Sequence, residues 1–269
     1  MPPANVPIDT VADILDDLRA TPPLVHCLTN EVVKNFTANA LLALGAAPAM
    51  VEHPVEAAEF AAIADALLIN LGTLGESEIE PIRRAVGAAT AAGTPWVLDP
   101  VAIGALSVRT ALAQELLGQH PTLIRGNASE IIALAGGRGS GRGVDSGDPT
   151  EAALEAAQDL ARRTGGAVLV TGQTDLFTDG ERVGRGHNGH LLLTRVTGVG
   201  CAQGAIAAAC LARASSPLAA AAAAATLMGV AGEKAARGTR NRPGSFQIAL
   251  LDALSELDRV ALLTTGSLG

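Results

Sequence analysis

The sequence predicts an α/β fold built on a mostly parallel sheet with helices on both faces. Three observations carry that expectation. Short strand-like runs alternate with helix-length segments as far as Gly172, the order of repeated βαβ units. The strand-like runs are apolar throughout, as expected of strands covered on both sides. Beyond Gly172 the pattern changes to turn signals at Asp179-Gly180 and Asn188-Gly189, which read as hairpins extending one sheet edge.

The elements follow in order. Val11, Ile14, Leu15 and Leu18 recur at helical spacing and predict an amphipathic helix near the start of the chain. PLVHCL (23–28) reads as a strand and 30–45 as a helix ending at Gly45. A short strand at 47–51 and a helix at 54–64 come next, then a strand at 66–70 and a helix at 76–93. PWVLDP (95–100) is a strand closed by Asp-Pro. A helix (108–118), a strand (122–126) and a short helix (128–136) follow it. A Gly-rich loop occupies 136–149, before a helix at 150–165 and a strand at 167–172. After the hairpins come three helices, at 201–213, 217–236 and about 246–260. No Pro/Ser-rich linker interrupts this order, so residues 1–269 are expected to form one domain.

Composition narrows the function. Hydrophobic residues make up 48% of the chain and charged residues 17%, enough for a large core. The net charge of −8 argues against a nucleic-acid partner, which selects a basic face. With aromatics at 2% and no Tyr, a base-stacking platform is also not expected. A local site for phosphate remains compatible with an acidic chain. Three cysteines form no disulfide framework, and no secretory-type segment opens the chain, so a reduced, cytoplasmic setting is expected. The uncharged stretch 214–232 reaches spanning length but is mostly Ala. It reads as a close-packing helix, with no membrane partner.

Ligands of open parallel sheets bind beyond the carboxyl ends of the strands. The polar residues expected there are Thr29, Asn30, Asn70, Asp99, Arg125, Asn127, Glu130 and Thr171, with the turn Gly198–Cys201. Asp99 and Glu130 offer hard oxygen ligands suited to Mg²⁺ on phosphates. Each also has a plainer reading: Asp99 as a turn aspartate before Pro100, Glu130 as the third residue of a capping box begun by Asn127. Arg125 beside them suits phosphate. The segment TGVGCAQGA places Cys201 among three glycines where a helix begins. A helix N-terminus binds anions and lowers a thiol pKa. The spacing G-x-G-C-x-x-G is one residue too long for the dinucleotide fingerprint, and the chain has no P-loop. His26 and Cys27, inside an apolar strand, read as core. His187 and His190 flank a turn with no third metal ligand nearby.

The blocks HCLTNEVVKNFTANALLALGAAPAM, DPVAIGA, IRGNASEI, VLVTGQTD and TGVGCAQGA, in that order, resemble the hydroxyethylthiazole kinases over about residues 10–260. The first block and the G-x-G-C turn are specific to that family. The Gly-rich turn and the N-A-S-E element are shared more widely with ribokinase-like vitamin kinases. The resemblance implies a ribokinase-like three-layer α/β/α sandwich. It implies ATP-dependent phosphorylation of the primary alcohol of 5-(2-hydroxyethyl)-4-methylthiazole in thiamine biosynthesis or salvage. It also implies Mg²⁺ and a homotrimer with thiazole pockets shared between neighbours. Residue by residue, it implies thiazole contacts at Met50, Gly198 and Asn30, and ATP contacts at Arg125 and Thr171. Asp99 and Glu130 fall at the Mg²⁺–phosphate cluster, directly or through water or phosphate, and Cys201 falls at the catalytic position, where related kinases carry Asp. The alternatives are a kinase of a pyrimidine or pyridoxal alcohol, a hydrate dehydratase of the same fold, and a non-catalytic thiazole sensor.

Overall fold

A computed structural model of the chain describes residues 4–137 and 150–269. Most of the Gly-rich segment 136–149 lies outside the described residues. The elements alternate as the sequence predicts. They are α1 (Ile8–Ala20), β1 (Leu24–Leu28), α2 (Lys34–Leu44), β2 (Ala47–Ala49), α3 (Pro54–Ala61) and β3 (Ala66–Asn70). Then come α4 (Glu76–Ala92), β4 (Trp96–Asp99), α5 (Ser107–Leu117), β5 (Leu123–Asn127) and α6 (Ala128–Leu134). After the Gly-rich segment a 3₁₀ turn (Thr150–Ala153) leads into α7 (Leu154–Thr164) and β6 (Ala167–Thr171). The chain closes with β7 (Asp175–Thr178), β8 (Val183–Gly186), α8 (Val199–Leu211), α9 (Pro217–Thr239), α10 (Pro243–Ser255) and α11 (Arg259–Thr265).

The strands form one eight-stranded sheet in the order β2-β1-β3-β4-β5-β6-β7-β8. Pairing is parallel from β2 through β6 and antiparallel for β6–β7 and β7–β8. The order reverses between β1 and β3, which makes the carboxyl ends of those strands the topological switch point.

Strand side chains alternate between two cores, as the pleat requires. Val25, Cys27, Leu68, Val97, Leu123, Leu169 and Phe177 pack toward α1, α2, α8, α9, α10 and α11. Leu67, Ile69, Trp96, Leu98, Ile124, Val168 and Val170 pack toward α3 to α7. The fold is therefore three layers, and a strand-end residue with the parity of Val97 or Leu123 points at α8.

Some expectations need correction. Only the first hairpin forms: Asn188-Gly189 leads into a 3₁₀ turn, Leu191–Arg195, rather than back into a strand. Asn188 is instead drawn into bonds with Glu233 and Thr265. The helix expected at 246–260 is two helices, parted where Asp258 caps α11 by accepting from Ala261 N–H. Helix α2 starts at Lys34 rather than at residue 30, because Glu31–Val33 form a turn. Among the described residues no helix is long and apolar enough to cross a membrane. The Ala-rich stretch forms α9, begun by Ser216 accepting from Ala219 N–H and by Pro217 in the first turn. Leu218 to Gly232 are buried within this one chain. Small side chains there let α9 lie close to α8 and α10.

Candidate active site

Side-chain parity brings the polar strand ends together under α8. Asp99 shares the parity of Val97, Arg125 that of Leu123, Thr171 that of Leu169 and Asp175 that of Phe177, and all of these apolar residues face the α8 layer. Gly198 caps α8 with φ +88°, a left-handed conformation that glycine adopts without strain. A Cβ there would also come within 2.9 Å of Val33 at the start of α2. Gly200 and Gly204, four residues apart, turn one face of α8 to the sheet. A Cβ on Gly200 would lie 2.9 Å from the Arg125 guanidinium, and one on Gly204 would lie 3.1 Å from Asp99 Oδ2. The third glycine of the motif thus leaves room for the Asp99 carboxylate.

A hydrogen-bonded chain runs along the strand ends. Asn30 Nδ2 donates to Asn70 Oδ1 at 2.9 Å and to Cys201 Sγ at 3.5 Å. Asn70 Nδ2 donates to Asp99 Oδ2 at 2.7 Å. Asp99 faces Arg125 across 3.6 Å, an ion pair too long for a hydrogen bond. The Arg125 guanidinium donates to Thr171 Oγ1 at 3.1 Å and to Gln203 Oε1 at 3.2 Å. Asp99 Oδ1 and Arg125 Nε are both buried with no hydrogen-bond partner, a costly arrangement concentrated at one place.

Burial governs the acid–base chemistry. It pushes Asp99 up to about 7, against the pull of Arg125 and with a further push from Glu130. It pushes the Cys201 thiol up to about 11, and neighbouring Asp99 adds to the rise. The lowered thiol pKa expected at a helix start is therefore overturned. Cys201 is the third residue of α8, but desolvation and a nearby carboxylate outweigh the helix end, so it is a neutral thiol at neutral pH.

Glu130 also takes its plainer role. Its backbone N–H donates to Asn127 Oδ1, while its Oε2 accepts from Asn127 N–H and its Oε1 from Ala102 N–H. The capping box is closed and both carboxylate oxygens are engaged. Burial raises its pKa as well. Met50 follows β2 at the sheet edge, half-buried against the α8-side core. His26 is buried with Nε2 on the Val51 carbonyl, and Cys27 is core, as expected. Among the described residues no group of three or more His, Cys, Asp or Glu side chains could hold a metal unaided.

A cavity of about 180 Å³ opens at the switch point, lined by Thr29, Asn30, Asn70, Gly72 and Leu74 among others. Neither Met50 nor Gly198 lines it. Asn70, Asp175 and Gln203 are the residues of this cluster to which the sequence assigned no role. Asn70 had a signal, being a polar side chain ending an apolar strand. Gln203 had none, because only packing turns that face of α8 to the sheet.

Comparison with known proteins is consistent across most of the chain. The model of the hydroxyethylthiazole kinase family matches residues 15–259. A hydroxyethylthiazole kinase of Klebsiella pneumoniae (strain 342) is 59% identical over 244 residues, covering 91% of this chain and 94% of that one. One from Cronobacter sakazakii is 56% identical over 243 residues, covering 90% and 91%. The solved structure of a hydroxyethylthiazole kinase protein from Pyrococcus horikoshii OT3 superposes with a TM-score of 0.89 at 38% identity, over 97% of this chain and 98% of that one. A pyridoxal kinase from Staphylococcus aureus, solved with ADP, shares the fold at 18% identity and a TM-score of 0.58, over 80% and 89%.

Proposed function

The chain belongs to the hydroxyethylthiazole kinase family, and from that premise we infer that it phosphorylates the primary alcohol of 5-(2-hydroxyethyl)-4-methylthiazole in thiamine biosynthesis or salvage. ATP is the phosphoryl donor in this reading. The observation that carries the site assignment is the strand-end chain: Asn30 and Cys201 stand on one side of Asp99, Arg125 and Thr171 on the other. Acceptor and donor then approach from opposite sides of one buried carboxylate.

Phosphoryl transfer needs positioning and charge stabilisation more than covalent chemistry from the protein. The free N–H groups of the first turn of α8 form an anion cradle, and Arg125 adds a fixed cation beside it. Asn30 and the Cys201 thiol hold the acceptor alcohol by hydrogen bonds. A thiol with a pKa of about 11 acts chiefly as a hydrogen-bond partner rather than as a base. Met50 and Gly198 complete the thiazole side, where a soft thioether suits a small apolar ring.

The residues fit Mg²⁺ in part. Asp99 Oδ1, buried and without a hydrogen-bond partner, suits a hard cation, whereas Glu130, with both oxygens on backbone N–H groups, would act through water or phosphate. The ion would neutralise charge on the phosphates. A homotrimer with shared pockets belongs to the same proposal. In its support, the exposed Val32 adjoins Glu31, a residue of the cavity wall, and Leu42 and Ile63 are further large, exposed apolar residues. Cytoplasmic residence is supported by three free cysteines.

A coupled ADP-release assay tests the activity, with thiazole alcohol, pyrimidine alcohol or no acceptor. Turnover that depends on the thiazole alcohol is expected. Preference for the pyrimidine alcohol, or no turnover with either, would overturn the reading.

A further inference from the structure

Apart from the long ion pair with Asp99, at 3.6 Å, Arg125 is held by groups that leave its charge intact. Its guanidinium donates to Thr171 Oγ1 and Gln203 Oε1, both neutral acceptors. Neutral acceptors fix the direction of the fork without cancelling its field, which stays available to an anion. Gln203 is itself buried, and an amide facing a guanidinium has to present its oxygen, because its NH₂ would oppose donor with donor. Asp175 sets that choice. Its Oδ2 accepts from Gln203 Nε2 at 3.5 Å, which turns Oε1 toward Arg125.

The other oxygen of Asp175 accepts from Gly172 N–H at 2.9 Å and so holds the turn directly after Thr171. One buried carboxylate at the start of β7 therefore braces both acceptors of Arg125, from α8 and from β6. A carboxylate enclosed in this way is costly to bury. Burial raises it to about 6. Among the described residues its side-chain hydrogen bonds go to these two neighbours, and it also lies in the field of Arg125 itself.

We propose that Gln203, oriented by Asp175, is a positioning residue for nucleotide recognition, acting through the direction it imposes on Arg125. The proposal rests on the reading of Arg125 as a phosphate contact. Gln203 touches no reacting atom in this scheme, so its effect should vanish when the guanidinium is removed.

A double-mutant cycle tests it, read by equilibrium calorimetric titration with Mg²⁺–ADP, which needs no turnover. Gln203→Met keeps length and helix propensity while removing the amide. It should weaken ADP binding about tenfold, the size expected for a hydrogen bond to a charged group, and leave the thiazole KM within about twofold. In an Arg125→Ala background the same substitution should change ADP affinity less than about twofold. If Gln203→Met does not fold, Gln203→Ala carries the same comparison with less volume. Two outcomes overturn the proposal alone: parental ADP affinity in Gln203→Met while Arg125→Ala binds weakly, or an equal loss with and without Arg125. Parental affinity in Arg125→Ala overturns the reading of Arg125 and the proposal with it.

Discussion

Cys201 stands in the first turn of α8 and yet is a poor acid, because burial and Asp99 both favour its protonated form. Replacing it should therefore remove a hydrogen bond and not a base. Cys201→Ala is expected to slow the chemical step by roughly 10- to 10³-fold, with residual catalysis from the anion cradle and Arg125. Cys201→Asp should keep turnover, and its rate should rise with pH as the new carboxylate, held up by burial beside Asp99, ionises. Single-turnover rates across pH check both variants. An Ala variant as fast as the parent would reduce Cys201 to packing. No phosphocysteine should appear by mass spectrometry during turnover. At Arg125 the cation faces phosphate, and the acceptor carries no charge to pair with it. Arg125→Ala should cost about 2–4 kcal/mol of transition-state stabilisation, expressed mainly in nucleotide use. A rise confined to the thiazole KM would refute that placement.

Helix α8 meets the sheet through glycines, and that contact can be tested by adding single methyl groups. Gly204→Ala removes a poor helix former, a gain of about 1 kcal/mol in an open position. Here the new Cβ would press on Asp99 Oδ2, which Asn70 already holds. No net gain in melting temperature is expected, and kcat should fall. Gly87→Ala in α4 is the control. Its Cβ would meet nothing within 4 Å, so stability should rise by about 1 kcal/mol with activity unchanged. Thermal melts and steady-state rates of the pair distinguish a contact effect from a helix effect. Strand β7 offers a second test through Asp175, whose folded pKa is raised from 3.8 to about 6 by burial. A raised carboxylate pKa means that the folded state holds its proton longer than the unfolded chain does. The stability linked to that proton is complete below about pH 4 and is lost as pH rises through about 6. Asp175→Asn should flatten the dependence of melting temperature on pH between those limits. A slope equal to the parent's would show that another group carries it.

The whole molecule keeps its long Ala-rich helix to itself. Its stretch Leu218–Gly232 is buried under α8, α10 and the sheet of its own chain. Exposed Val32, Leu42 and Ile63 are better placed for contact between subunits. Light scattering at micromolar concentration should report a trimer, and charged substitutions at Val32 and Ile63 together should shift it to smaller species. A fully active monomer would rule out a shared pocket.

Much of this was legible in the sequence because its signals are local. Apolar runs bounded by helices specify strands covered on both faces, and the residues that end those runs fall at the carboxyl edge by chain direction alone. Asp99, Arg125, Glu130, Thr171 and Asn30 were reached in that way, and the ordered motifs identified the family. The rest depends on what packs against what. Whether Glu130 is free or spent on a cap depends on the Asn127 and Ala102 backbone. The state of the Cys201 thiol depends on desolvation by neighbours distant in sequence. Gln203 and Asp175 acquire meaning only when pleat parity and the glycine face of α8 bring them within hydrogen-bond range. Periodicity reports which face a residue lies on, but the energy of a buried polar group is set by its tertiary partners, and these become defined only when the sheet is assembled.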